Sequence, residues 1–504
     1  MWFHLDDWEF LVDRRANNLG DLFRSHNGHW VTLPVLLYRA LWFVLGIRSY
    51  LPYQVFVVAA HLGAAALLRV VMRRAGVRPW TATVVAAAFV LFGRGHENIL
   101  AAFQVTMVGS LVFGLVHLIL ADHDGGIDRR DVAGMVCGLF GLMCSGVGVP
   151  LVIGVGLATL LRRGWRVAAL HVIPLGLVYL IWWEAIGQKA ATVSTDTTSV
   201  AGFAAKTAVT TFADVGDLPG AGVAIGLVLV VGFTLAWFSH SSPFARRELA
   251  APTGLLGAGV ALLVITAVGR ASVTDVVQGR YEHLLLALTL PALAVAVDAI
   301  GIRYRTLLVP LLALILVGTP GNIRAAYTFT RTSAARTEMA QYRRTILTLP
   351  RLPIARTTPR TLTPETVTGF RITMGWLLDG VKSGRIPAPP APNAGEIAVD
   401  TLRLSLLHSP SVFPTEDSCR QVHYGPGAVV TLATGEAVFF RRGANFVRIL
   451  PVRGPGLDAL PFELGREAAR LLAVRPVGFR VVIDVDSPAR VATVCTPRGD
   501  ITTP

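Results

Sequence analysis

Charge is the first thing this sequence is short of. Asp, Glu, Lys and Arg supply only 15% of its 504 residues, while 53% are hydrophobic and mean hydropathy is +0.56. No soluble protein of this size needs so much apolar surface, which excludes an ordinary water-soluble globule and points to a polytopic membrane protein. Acidic residues are scarcer than basic ones, 32 against 46, for a formal charge of +14. That excess would suit nucleic acid if it formed one patch. The arginines instead cluster between apolar segments, so no nucleic-acid partner is expected. Cysteine is nearly absent, at four residues. Cys137 and Cys144 fall in an apolar segment and read as small fillers. Cys419 and Cys495 fall near the C-terminus, where a disulfide is one reading and two buried thiols the other. Also missing are a Walker loop, a dinucleotide fingerprint and an HExxH motif. There is no internal repeat, and no low-complexity tract beyond a proline-rich run at 387–392.

What is present is a series of apolar segments, at 51–71, 79–93, 98–121, 132–146, 147–161, 167–186, 219–239, 250–269, 284–300 and 306–319. They make about ten spans, several of them shorter than the roughly 20 residues that a straight helix needs to cross a ~30 Å hydrocarbon core. The two meeting at Ser145-Gly146-Val147-Gly148 are especially short, and read as two half-length helices or one long broken one. Alternate loops carry Arg69, Arg73, Arg74 and Arg78, then Arg129 and Arg130, Arg162, Arg163 and Arg166, Arg246 and Arg247, and Arg303 and Arg305. The positive-inside rule puts these in the cytoplasm. Loops 94–97, 187–218 and 270–283, and everything after Pro320, then face outward.

Segment 31–47 decides where the N-terminus lies. As a true span it would carry Arg39 at a cost of roughly 2.5–3.5 kcal/mol at the bilayer centre. Trp30, Tyr38 and Trp42 favour a helix lying in the outer interface instead. Asp6 and Asp7 are then outside, although no span precedes them. Either a short tail is translocated by the first span, or the native start lies upstream of Met1 with one further span; the second is the expectation. Residues 1–50 thus read as an outer loop with an interfacial helix, and 51–319 as the transmembrane domain. Residues 320–392 read as a helical connector and stiff linker, with a helix start at Thr363-Pro364-Glu365 and a stop at Gly384. Residues 393–504 alternate in strand fashion from Glu396, for example at 428–432, 437–441, 446–450 and 480–485, and predict a small extracytoplasmic β-sandwich.

Four polar clusters could carry chemistry. Asp6 and Asp7 precede Trp8; two adjacent carboxylates at a membrane surface can take a proton from an acceptor hydroxyl, hold a divalent ion such as Mg or Mn, or simply cap a turn. His26, Asn27, His29 and Trp30 follow. The His-x-x-His spacing would place both imidazoles on one helical face, and Trp30 offers a stacking face for a sugar. Glu97 and Asn98, with Gln104 two turns on, lie at the outer mouth of two spans, where the alternative is a helix cap. Arg280 and Tyr281 precede a span; the arginine could hold a lipid phosphate or anchor the helix at the interface. His61, His117 and His171 read as packed, hydrogen-bonded histidines. The stretch 122–128 resembles a calcium loop without its terminal Glu and reads as solvated.

Together, Asp6-Asp7-Trp8, His26-Asn27-Gly28-His29-Trp30, Glu97-Asn98 with Phe103-Gln104, and Arg280-Tyr281 resemble actinobacterial integral membrane proteins of the GT-C superfamily of glycosyltransferases. The resemblance covers about the first 320 residues. It implies a polyprenyl-phosphate sugar as donor, transfer on the outer face of the plasma membrane, and a glycan, lipid or protein of the envelope as acceptor. It also implies Asp6 or Asp7 as base or metal ligand, and Arg280 at the donor phosphate. A transporter or flippase of lipid-linked sugars, or a non-catalytic envelope scaffold, are the other readings.

Overall fold

A computed structural model of the chain describes all residues except 4–5, 188–195, 240–246, 275, 332, 365–371, 390, 411–418, 424–428, 441–445, 453–459, 464–468, 484–490 and 496–504. For 333–336, 338, 407–410, 419–423, 439–440, 446–448, 460–463, 469–470, 481–483 and 491–495 it describes the backbone alone. The chain divides into two compact units. A helical unit comprises Arg14–Leu41 and Tyr50–Ala335; the second comprises Met1–Asp13, Trp42–Ser49 and Arg336–Pro504.

The helical unit is built from α1 (Thr32–Leu45, whose last turn counts with the second unit), α2 (Leu51–Arg74), α3 (Pro79–Val90), α4 (Val105–Ala121), α5 (Arg129–Leu142), α6 (Gly148–Arg163), α7 (Trp165–Ala185), α8 (Thr197–Gly216), α9 (Ala221–Ser239), α10 (Ala250–Arg270), α11 (Gly279–Arg303), α12 (Leu308–Leu316) and α13 (Thr319–Arg331). Among the described residues, seven helical stretches are long and apolar enough to cross a membrane, and the chain reads as a helical membrane protein. The expected apolar segments are helical, with shifted bounds. The segment at 98–121 breaks into a short helix, His96–Leu100, a 3-10 turn, Ala102–Gln104, and α4. The segment at 306–319 runs on as far as Arg331. The expected loop at 187–218 is largely helix α8: Asp196 caps it through the amides of Thr198 and Ser199, and Phe203, Thr207, Thr211 and Val215 bury one stripe at helical spacing.

α11 is the central post. In its apolar window 83% of residues are buried, against 17–61% in the other six stretches, so neighbours enclose it on every side. α6 and α10 pack closely: a Cβ on Gly154 would lie 2.7 Å from the Gly254 carbonyl oxygen, and one on Gly254 would lie 2.4 Å from that of Gly154. Only small residues let two helix backbones approach this far. α5 and α6 form a short hairpin of 14 and 16 residues. Its arms, about 21 and 24 Å long, fall short of a ~30 Å core. Of the two readings of this region, the structure takes the paired half-length helices.

In the second unit, α14 (Ser333–Thr348, which begins in the helical unit) leads through 3-10 turns to α15 (Met374–Lys382) and α16 (Ala394–Arg403). The expected helix start at Thr363-Pro364 is not helical; Glu365 lies outside the described residues, and Thr373 caps α15 instead. Gly384 follows α15 with φ +69°, as a helix stop requires. The strand reading from Glu396 is corrected: Asn393 and Glu396 form a capping box that opens α16. The strands beyond form two antiparallel sheets. One holds β1 (Leu406–Pro410), β7 (Ala469–Ala473), β4 (Ala437–Phe440), β9 (Val491–Cys495) and β2 (Cys419–His423), in that order. The other holds β3 (Val429–Leu432), β8 (Val477–Ile483), β5 (Phe446–Pro451) and β6 (Leu460–Glu463). The register sets Cys419 directly opposite Cys495.

Candidate functional site

The site begins with a turn. His26 and His29 exchange backbone hydrogen bonds of 2.9 and 2.8 Å, with Asn27 at φ 48° and Gly28 at φ 81°. Two successive left-handed residues in a two-residue loop make a type I′ hairpin turn, for which Asn-Gly is the preferred pair. The helical face expected for His26 and His29 is therefore corrected: the two residues face each other across a hairpin. The Arg14 guanidinium secures the chain leading into it, donating to the carbonyls of Asp21 (3.1 Å), Arg24 and Ser25 (3.0 Å). Trp30 is 4% exposed. Its ring stacks on Trp182 at 5.4 Å and its Nε1 donates to Thr32 Oγ1 at 2.7 Å. It braces the hairpin and has no free face for a sugar, which corrects that expectation. His26 is buried beside the Phe103 ring.

The hairpin ends in a cavity of about 930 Å³, near the upper end of ordinary ligand pockets. α6 forms its floor and packs on both α7 and α10. The walls are apolar, including Leu142, Pro150, Ile153, Leu175, Leu262 and Ile265. The polar lining consists chiefly of Asn27, His29, Tyr179, Arg270 and Tyr281. Gly146, in the α5–α6 loop, admits the imidazole: a Cβ there would lie 2.6 Å from His29 Nδ1. Burial, then the positive neighbours His26, Arg270 and Arg280, pull His29 down to about 4, so it is neutral at physiological pH.

Arg270 is the residue that sequence reading missed. It ends α10, its Nε donates to the Tyr281 hydroxyl at 2.9 Å, and among the described residues it has no carboxylate partner. Its signal was an arginine closing a long apolar helix ten residues before Arg280. The Arg280 guanidinium lies over the Tyr281 ring at 5.3 Å and 3.9 Å from Glu97, and its buried Nε lacks a hydrogen-bond partner. Asn98, fully buried, donates to the Arg280 carbonyl oxygen at 2.8 Å and so fixes the first turn of α11. Gln104 is buried with its Oε1 unpartnered. The structure thus brings His29, Asn27, Tyr281 and Arg270 to one cavity and pairs Glu97 with Arg280, while Asn98, His26 and Trp30 support them. Uncompensated guanidinium beside apolar walls is the chemistry that holds an anionic head on a hydrophobic tail.

Two buried imidazole chains lie elsewhere in the unit. Asn98 Nδ2 reaches His283 Nδ1 at 3.3 Å, His283 Nε2 lies 3.1 Å from His61 Nδ1, and His61 Nε2 lies 3.3 Å from the Val90 carbonyl oxygen. One set of neutral tautomers satisfies every link. In the other, His117 Nε2 lies 3.0 Å from His171 Nδ1, and His171 Nε2 lies 3.0 Å from Asp131, which is paired with Arg163. His123, Asp128 and Asp131 are spaced to hold a metal ion. Their carboxylates are already filled, Asp131 by Arg163, His171 and the Asp128 amide, and Asp128 by Arg130, so an ion would have to displace guanidinium.

Asp6 and Asp7 belong to the second unit. Asp7 is fully buried in the first turn of a helix that widens over Glu9–Asp13, and Trp8 packs against Trp2 and Trp376. Among the described residues no third His, Cys, Asp or Glu joins the pair in a cluster tight enough for an ion. No protein-family model, no curated protein and no solved structure matches the chain.

Proposed function

We propose that the chain is a GT-C-like glycosyltransferase of the plasma membrane that moves a sugar from a polyprenyl-phosphate donor to an envelope glycan, lipid or protein acceptor on the outer face. The observation that carries this is Arg270: a guanidinium that has no carboxylate partner among the described residues, beside a neutral His29, in a large cavity with apolar walls. A lipid phosphate answers that combination, and a lipid-linked donor requires no nucleotide fold. In this reading the seven long apolar stretches cross the membrane, and the shorter α3, α5 and α6 are counted with them to reach about ten. The arginines at the open ends of the α5–α6 hairpin are cytoplasmic in this reading, and its closed end at Gly146, where His29 sits, is outer. The C-terminal unit is extracytoplasmic.

The test is deletion of the gene in its native host, with measurement of envelope glycans and lipid-linked sugar pools, and rescue by the wild type or by Arg270→Gln expressed equally. Loss of one glycan with donor accumulation is expected, rescued at least about tenfold less well by Arg270→Gln, since a hydrogen-bonded charge contributes ~1.5–3 kcal/mol. Unchanged glycans and pools in the deletion strain would remove the transferase reading.

A second reading, a proton-coupled flippase of lipid-linked sugars, draws on the buried imidazole chains, since such chains in membrane helices serve proton relays. It is favoured if a fluorescent polyprenyl-phosphate lipid crosses proteoliposome leaflets unaltered and does so faster under a proton gradient.

A further inference from the structure

We infer that His29 is the base that takes the proton from the acceptor hydroxyl, a role that rests on the transferase reading above. Three features of its place carry this. His29 lines the cavity together with Arg270 and Tyr281. The imidazoles of the two buried chains are tied at a ring nitrogen, as are those of His26, His96 and His123. Among histidines with described side chains, His29 alone has both nitrogens uncommitted to a hydrogen bond. Its Nδ1 lies against Gly146, leaving Nε2 for a substrate.

The groups around it are chosen to keep it unprotonated. The hairpin presents His26, α10 presents Arg270, α11 presents Arg280, and all three oppose a positive charge on His29. α7 and α11 add Tyr179 and Tyr281 to the same cavity, the α5–α6 loop adds no charged group, and no carboxylate is among the described residues that line it. A base must be empty before it can act, and burial with these positive neighbours favours the empty form of His29.

The step balances. The acceptor O–H proton passes to His29 Nε2 as the acceptor oxygen forms its bond to the anomeric carbon. The bond from that carbon to the phosphate oxygen breaks, and its electron pair leaves with the polyprenyl phosphate. Arg270 and Arg280 meet the added negative charge on the leaving group. The newly formed imidazolium is flanked by phosphate, which replaces the missing carboxylate.

Two readouts separate binding from transfer. Farnesyl phosphate, a short polyprenyl phosphate, is titrated into the purified full-length protein by intrinsic tryptophan fluorescence, for which Trp183 lines the cavity. Transfer is read as glycan restored in the deletion strain. His29→Gln is expected to bind farnesyl phosphate within about threefold of wild type while transfer falls between about 100- and 10,000-fold. His29→Glu, which supplies another base, is expected to regain part of the activity. Wild-type transfer by His29→Gln overturns the assignment, returns the base to Asp6 or Asp7, and leaves the transferase reading intact. Loss of farnesyl phosphate binding along with transfer also overturns it, making His29 a binding residue. A deletion strain with unchanged glycans removes the reading beneath it, a result distinguishable from both.

Discussion

His29 sets a measurable acid limit on the fold. Its folded value, about 4, lies below the ordinary 6.5, so above pH 6.5 it is neutral whether the chain is folded or not, and contributes no pH dependence. As pH falls from 6.5 toward 4 the unfolded chain takes up a proton that the folded chain refuses, and stability drops. Thermal melts in detergent at pH 7 and pH 5 are expected to show a larger loss for wild type than for His29→Gln; equal losses would mean that His29 is as solvated folded as unfolded. The same residue illustrates what could be read from sequence alone. His29 and Tyr281 stand out by type and place, but His26-x-x-His29 suggests a helix until the Asn27-Gly28 pair between them is weighed as a turn. Arg270 stayed hidden because a lone arginine at a helix end is usually an interfacial anchor, and only the fold reveals that it lines a cavity and, among the described residues, has no carboxylate partner.

Glycines separate packing from function at the level of helices. A Cβ on Gly254 meets the α6 backbone, whereas one on Gly176, which lines the cavity in α7, meets nothing within 4 Å. Gly254→Leu is expected to lower the melting temperature sharply. Gly176→Leu is expected to leave it unchanged or raise it, since leucine exceeds glycine in helix propensity by about 0.8 kcal/mol, while weakening farnesyl phosphate binding at least tenfold. The helix junctions near Asp131 are a different case. Asp131 and Arg163 are 0% and 3% exposed, so Asp131→Ala strands a buried guanidinium and is expected to cost about 3–5 kcal/mol, read by denaturation in detergent. The long apolar helices were legible because each exceeds anything a soluble core needs. α8 was not, because its Thr- and Ala-rich sequence with Lys206 has the composition of a loop, and only its buried stripe against α9, α10 and α11 makes it a helix.

Across the whole molecule, one unit is built of helices and the other carries the strands. Cα atoms directly opposite in an antiparallel pair are about 4.5–5.5 Å apart, within the ~4.4–6.8 Å range of disulfides, and Cys419 and Cys495 stand in that relation. If the C-terminal unit is extracytoplasmic, non-reducing peptide mass spectrometry of protein from native membranes, alkylated before lysis, is expected to recover the two as one linked peptide. Two free alkylated thiols would place them in a reducing compartment or apart. The strands themselves were legible from alternation and turns; their order in two sheets was not, because register depends on partners distant in sequence. The short α5–α6 hairpin has a consequence for the bilayer. An element shorter than the hydrocarbon is thick crosses it only where the bilayer thins beside it, and that deformation costs fractions of a kcal/mol per Å. The protein is then most at ease in thin membranes, and the bilayer thickness around it acts on the depth at which a lipid-borne phosphate comes to rest.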